Sequence, residues 1–315
     1  MKNIISNLII LILIAVIVSC VPGKKKLTEK NLKTIGSIER VSEGLDQVIK
    51  PSAVIEVLAE GFEWTEGPVW IKSGNYLLFS DIPKNRIYKW SEEDSISIYL
   101  EPSGYTGTVS RAGETGSNGL LLDQQGRLVL CQHGDRRMAY MDSSLDKPTS
   151  KFTTLADNFQ GKKLNSPNDG VYNSKGDLYF TDPPYGLAKL TDDPARELNF
   201  QGVYRLSKDG KLDLLTDELS RPNGIGFSPD EKTLYVANSD PEKAIWMAYD
   251  VKEDGYIQNG RIFYDATEKS KSEQGLPDGL KVHSKGYIFA AGPGGVWVFD
   301  PKGSQLGVCR ACSKS

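Results

Sequence analysis

One pattern recurs along the chain at a spacing of about fifty residues, and it restricts the fold more than any other feature of the sequence. Each copy runs turn, Asn or Asp or Glu, Gly, an alternating strand, a Gly-type turn and a second strand. The copies are TEGPVWIKSGNYLLFSD around Glu66, SNGLLLDQQGRLVLCQHG around Asn118, PNDGVYNSKGDLYFTDP around Asn168, PNGIGFSPDEKTLYVANS around Asn223 and PDGLKVHSKGYIFAAG around Asp278. Their separations are 52, 50, 55 and 55 residues. Repetition at this period marks stacked or radial repeat architectures. Each interval also holds a later strand pair, such as Gly202 to Leu206 followed by Asp209-Gly210 and Lys211-Leu212, so one unit carries about four strands. A four-stranded unit repeated radially is a β-propeller blade. The chain is therefore expected to be all-β. Its 31 Gly and 16 Pro supply the turns, and after residue 50 no long helical periodicity supports a βα barrel.

In a propeller the innermost strand of every blade lines the axis, so equivalent positions meet around the channel. Glu66, Asn118, Asn168, Asn223 and Asp278 each stand just before an inner strand and are expected to form one ring. Side-chain oxygens with two carboxylates among them suit a hard divalent cation, and no thiol or imidazole belongs to the set. The alternative is that Asn-Gly and Asp-Gly are simply turn pairs.

The segments EGPVW (66–70), SPNDGV (166–171), RPNGIGFSPDEKTLYV (221–236) and LPDGLKV (276–282) resemble the gluconolactonase / senescence marker protein / luciferin-regenerating enzyme family over about residues 55–303. The resemblance implies a six-bladed β-propeller, one divalent cation at the channel mouth and hydrolysis of sugar lactones, a carboxylic-ester hydrolase activity. It implies Glu66, Asn168, Asn223 and Asp278 as metal ligands, with calcium first and magnesium, manganese or zinc as alternatives. It also implies Asp278 as general base. CQHGDRR (131–137) resembles the bacterial gluconolactonase-like branch and makes His133 a candidate for catalysis and substrate contact. Asn118, Asn168 and Tyr185 are further candidates for substrate contact; for Tyr185, after Pro183-Pro184, a structural turn is the competing reading.

The chemistry agrees with this. A cation polarises a lactone carbonyl, and a carboxylate beside it takes a proton from water. A serine hydrolase is disfavoured, because G-x-S-x-G is missing and only His133 and His283 could act as base. His283 is expected on an exposed turn. The Gly-rich stretch 103–116 is expected as a lid over the mouth, and Arg136 with Arg137 either meets a substrate carboxylate or forms an exposed pair. The competing function is a non-catalytic propeller lipoprotein that binds sugar or protein.

The termini carry separate expectations. Lys2, the apolar run Leu8 to Val18 and Ser19-Cys20 form a short secretory signal. Ile17-Val18-Ser19-Cys20 resembles a bacterial lipoprotein cleavage box, which implies residues 1–20 as signal, a lipid on Cys20 and an exported, membrane-anchored protein of the cell envelope. An uncleaved signal anchor is the alternative. Residues 21–50 are expected as a solvated tether and 51–315 as the folded domain. Cys309-Arg310-Ala311-Cys312 has no βαβ context and is read as incidental. A net charge of −3 gives no reason to expect nucleic acid as a partner. One further interval past Asp278 falls beyond Ser315, so the sixth blade is expected to be incomplete beside a gap, with the strand Val54 to Leu58 unpaired and stability and activity lowered.

Overall fold

The structure is a computed structural model that describes residues 33–311. Cys20, the signal segment and Cys312 lie outside the described residues. Each repeat copy opens a four-stranded antiparallel sheet. The first blade is Thr65–Ile71, Tyr76–Asp81, Arg86–Ser91 and Ser95–Leu100; the second is Ser117–Leu122, Leu128–Gln132, Arg137–Met141 and Phe152–Ala156. The third is Gly170–Tyr172, Leu178–Asp182, Gly202–Leu206 and Leu212–Thr216; the fourth is Pro222–Phe227, Thr233–Asp240, Lys243–Val251 and Ile257–Asp265. The fifth, Leu280–Val282, Ile288–Gly292, Gly295–Phe299 and Gln305–Arg310, gains Ser37–Arg40 as an outer fifth strand.

Strand alternation puts apolar side chains on both faces of a blade, and they are buried between neighbours. Leu78 and Ile87 of the first blade pack with Leu120 and Leu130 of the second. Met138 of the second packs with Phe180 and Tyr204 of the third, Tyr179 of the third with Val236 of the fourth, and Trp246 of the fourth with Trp297 and Phe299 of the fifth. Each such side chain taken fully out of water contributes about 1.5–3 kcal/mol.

The junction of the fifth and first blades differs. No buried cluster among the described residues joins them. Pro68 of the first blade and Phe289 and Val296 of the fifth line a cavity of about 320 Å³ that continues into the channel, and Trp70 and Val296 are exposed.

Three expectations are corrected. The described residues form five blades, one per repeat copy, where six with an incomplete last one were expected. The reason is strand supply: residues 33–64 provide only Ser37–Arg40 and a two-stranded ladder of Thr34–Ile35 with Ile55–Glu56. Residues 33–50 are no free tether, because Ser37 to Arg40 pair with Arg310 to Gly307 and Leu45 is buried against Val298 and Leu306. Lastly, Ile55–Glu56 is paired with Thr34–Ile35, and it is Ser37–Arg40 that adds to the last blade.

Candidate active site

The inner strands reach one end of the channel in broken register. Pairing with the second strand shifts between Glu66 and Val69, between Ser117 and Leu120, and between Pro222 and Ile225. Such bulges take residues out of the ladder and re-aim their side chains. Asn118 and Asn223 lie inside these shifts and Glu66 at the edge of one.

At two ring positions the glycine that follows has a steric cause. A Cβ on Gly67 would stand 2.2 Å from the carbonyl oxygen of Asn118, and one on Gly224 would stand 2.3 Å from that of Asp278. Neighbouring inner strands approach too closely there for any side chain. At these two positions the glycine therefore marks contact between blades, whereas a Cβ on Gly279 in the fifth copy would meet nothing within 4 Å.

Polar groups at the ends of the second strands hold the loops that lead into the ring. Asp81 accepts from the N–H groups of Glu63 and Trp64 at 3.3 and 3.1 Å. Asp182 accepts from those of Asn165 and Ser166 at 2.8 and 2.7 Å. Burial pushes the Asp182 carboxyl up to about 7 despite these donors. Hydroxyls tie successive blades together: Ser80 donates to the carbonyl of Asn118 at 2.8 Å and Thr181 to that of Asn223 at 2.7 Å.

All five predicted ring residues meet. Glu66, Asn118, Asn168, Asn223 and Asp278 line a cavity of about 350 Å³ at the mouth, together with Trp64, Glu114 and Tyr185, and the same five also line the channel cavity beneath. The three asparagines are buried. Asn118 and Asn168 have no side-chain hydrogen bond to protein among the described residues, so their amides are presented to the cavity. Asp169, beside Asn168, is instead satisfied locally: its carboxylate accepts from Gly170 N at 2.9 Å and lies 3.7 Å from Lys281 Nζ.

Loss of surrounding water raises both ring carboxyls above their ordinary range. The charge of Asp278 adds to this at Glu66, and the charges of Asp169 and Glu114 add to it at Asp278; bonds from Trp64 and from the Gly279 N–H oppose it. Two half-buried carboxylates that repel one another, with amide oxygens beside them, form a donor set that a hard cation fits. Among the described residues no three His, Cys, Asp or Glu side chains gather as a metal cluster; the ring offers two carboxylates, and a full shell would draw on amide oxygens.

The remaining candidates divide. Tyr185 does line the mouth, and burial pushes its hydroxyl up to about 12. His133 is fully buried and is not among the residues lining the cavity; its Nδ1 bonds Glu114 Oε2 at 2.7 Å. Arg136 is buried, donating to the carbonyls of Leu164, Asn165 and Ala195 at 2.8–2.9 Å, and Arg137 bonds Gln132 and Asp135 at 2.6 and 2.9 Å. Neither arginine is the exposed or substrate-facing group that was expected. His283 is exposed, accepting from Lys285 N at 3.1 Å. Sequence reasoning missed Glu114 and Trp64. Trp64, whose Nε1 donates to Glu66 Oε1 at 3.1 Å, is two residues from Glu66 and could have been found from that spacing; Glu114 sits in a Gly-rich stretch that no motif distinguishes.

Residues 64–313 match the model of the SMP-30/Gluconolactonase/LRE-like region. A gluconolactonase of Zymomonas mobilis is 40% identical over 295 residues, covering 91% of this chain and 82% of the relative. The structure of a gluconolactonase of Xanthomonas campestris superposes with a TM-score of 0.74 at 30% identity, covering 89% of this chain and 87% of that one. A calcium-binding regucalcin of Agrobacterium tumefaciens, 19% identical with a TM-score of 0.58 over 79% of this chain and 75% of that one, shares the fold.

Proposed function

The chain belongs to the SMP-30/gluconolactonase/LRE-like family, and from that membership and the mouth geometry we propose that it is a divalent-cation-dependent hydrolase that opens sugar lactones. The observation that carries the reading is the convergence of Glu66, Asn168, Asn223 and Asp278, from four different blades, on one cavity of about 350 Å³. These four would hold the cation, calcium first. A cation bound there supplies Lewis-acid polarisation of a lactone carbonyl.

The chain's own groups account for the rest. Asp278 Oδ1 accepts from Gly279 N at 3.0 Å, which fixes the carboxylate beside the cavity. Its position suits it to take the proton of an attacking water. Water oxygen then joins the carbonyl carbon, the ring C–O bond breaks, and the proton passes to the departing ring oxygen, giving a hydroxy acid. Asn118 and Tyr185 line the same cavity and are suited to contact the substrate. We further read the protein as exported and lipid-anchored through Cys20, on the Ile17-Val18-Ser19-Cys20 segment alone. A pH-stat assay with gluconolactone, corrected for spontaneous opening, tests the activity: acid release above background supports it, and release at the background rate counts against it.

A further inference from the structure

Glu114 belongs to none of the five repeat copies, yet it lines the mouth cavity. The stretch that carries it, residues 103–116, is pinned at several points. Asn85 Oδ1 accepts from the N–H groups of Ser103, Gly104 and Tyr105 at 3.0, 2.7 and 3.2 Å. Asp135 accepts from Thr106 N and Oγ1 at 3.1 and 2.7 Å. Arg111 donates to the carbonyls of Gly134 and Gly186. The stretch that was expected as a lid is thus bonded to neighbouring loops at these points, and it carries Glu114 to the mouth cavity.

The carboxylate is itself oriented. His133 Nδ1 bonds Oε2 at 2.7 Å, while the buried Nε2 has no partner among the described residues. Since a carboxylate accepts and the other ring nitrogen is left bare, the network assigns the proton to Nδ1. Glu114 Oε1 has no protein partner among the described residues. A carboxylate oxygen only accepts, so what completes it must bring donors. Glu66 and Asp278 are the carboxylates of the inner-strand ring; Glu114 enters from a loop outside that ring and is tied to an imidazole.

We infer that Glu114 is a specificity-determining residue that accepts hydrogen bonds from the ring hydroxyls of a polyhydroxylated lactone, with His133 as the residue that positions it. The inference rests on the lactonase reading and adds which part of the substrate is recognised. A lactone without hydroxyls gains nothing from Glu114.

Binding of two unreactive lactams to the calcium-supplemented protein separates the possibilities. Gluconolactam carries the hydroxyls and δ-valerolactam carries none. Glu114→Gln is expected to weaken gluconolactam binding about 10- to 100-fold, the range for a hydrogen bond to a charged group, and to leave valerolactam binding as it was. His133→Ala should reproduce that pattern, and His133→Asn, whose amide N–H can stand where Nδ1–H stands, should restore discrimination. Equal weakening of both lactams, or of neither, overturns the inference. So does a parallel loss of calcium affinity in Glu114→Gln, which would put this carboxylate in the cation shell. A protein that discriminates through Glu114 and yet opens no lactone overturns the lactonase reading alone.

Discussion

Asn223 donates its side-chain Nδ2–H to Ser239 Oγ at 3.0 Å. The hydroxyl proton of Ser239 goes to the carbonyl of Pro277. Ser239 therefore has only a lone pair to offer, and the amide must meet it with nitrogen and not oxygen. This leaves the side-chain oxygen of Asn223 for the ring. Ser239→Ala is predicted to lower calcium affinity about 10- to 100-fold, as loss of a ligand's outer partner does. Calcium titration reads the effect, and unchanged affinity would mean that something else orients the amide.

Gly67 combines a φ of 58° with the 2.2 Å clash that a Cβ would make with the Asn118 carbonyl. Gly67→Ala adds the cost of the left-handed conformation to that of overpacking, about 2–5 kcal/mol together. Urea unfolding should show this loss. A loss below about 0.5 kcal/mol would show that the two inner strands can move apart freely.

The ring was legible because its five members share one position in a repeat, and the repeat period alone places them around an axis. The blade count was less so. The period predicts one blade per copy, which holds, while the sixth came from the resemblance. The last blade's outer strand, Ser37–Arg40, lies about 270 residues from its partner Arg310, and no local pattern announces such a pairing. His133 was found as a residue, but its place, fully buried behind Glu114 and off the cavity lining, was not legible. A motif carries identity, whereas burial and the bond to Glu114 depend on a loop that packs from another part of the chain. Arg136 was misread for a similar reason: its three carbonyl partners are 28 to 59 residues away.

Asp182 predicts a pH dependence of stability. Its carboxyl rises from 3.8 to about 7 on folding because burial disfavours the charge. Its stabilising contribution is then fully present below about pH 3.8 and is lost as pH rises through about 7. Relative to Asp182→Asn, the unaltered protein should lose advantage steadily across that window in denaturant unfolding. A difference independent of pH would show that the carboxyl titrates as it does when unfolded.

Cys20 predicts membrane anchoring. In cells fed a clickable fatty acid, label should be incorporated into the unaltered protein and be missing from Cys20→Ser. Equal labelling of both would sink the anchor.

The central claim, that four blades hold one cation which lactone opening requires, is tested most directly by stripping and restoring it. After treatment with chelator, gluconolactone hydrolysis followed by pH-stat should fall to the spontaneous rate, and calcium should restore it with saturation at one ion per chain. Asp278→Asn, which removes the carboxylate proposed as both charged ligand and base, should remain near background at saturating calcium. Hydrolysis that survives complete chelation, or an Asp278→Asn variant as active as the unaltered protein, would contradict the account.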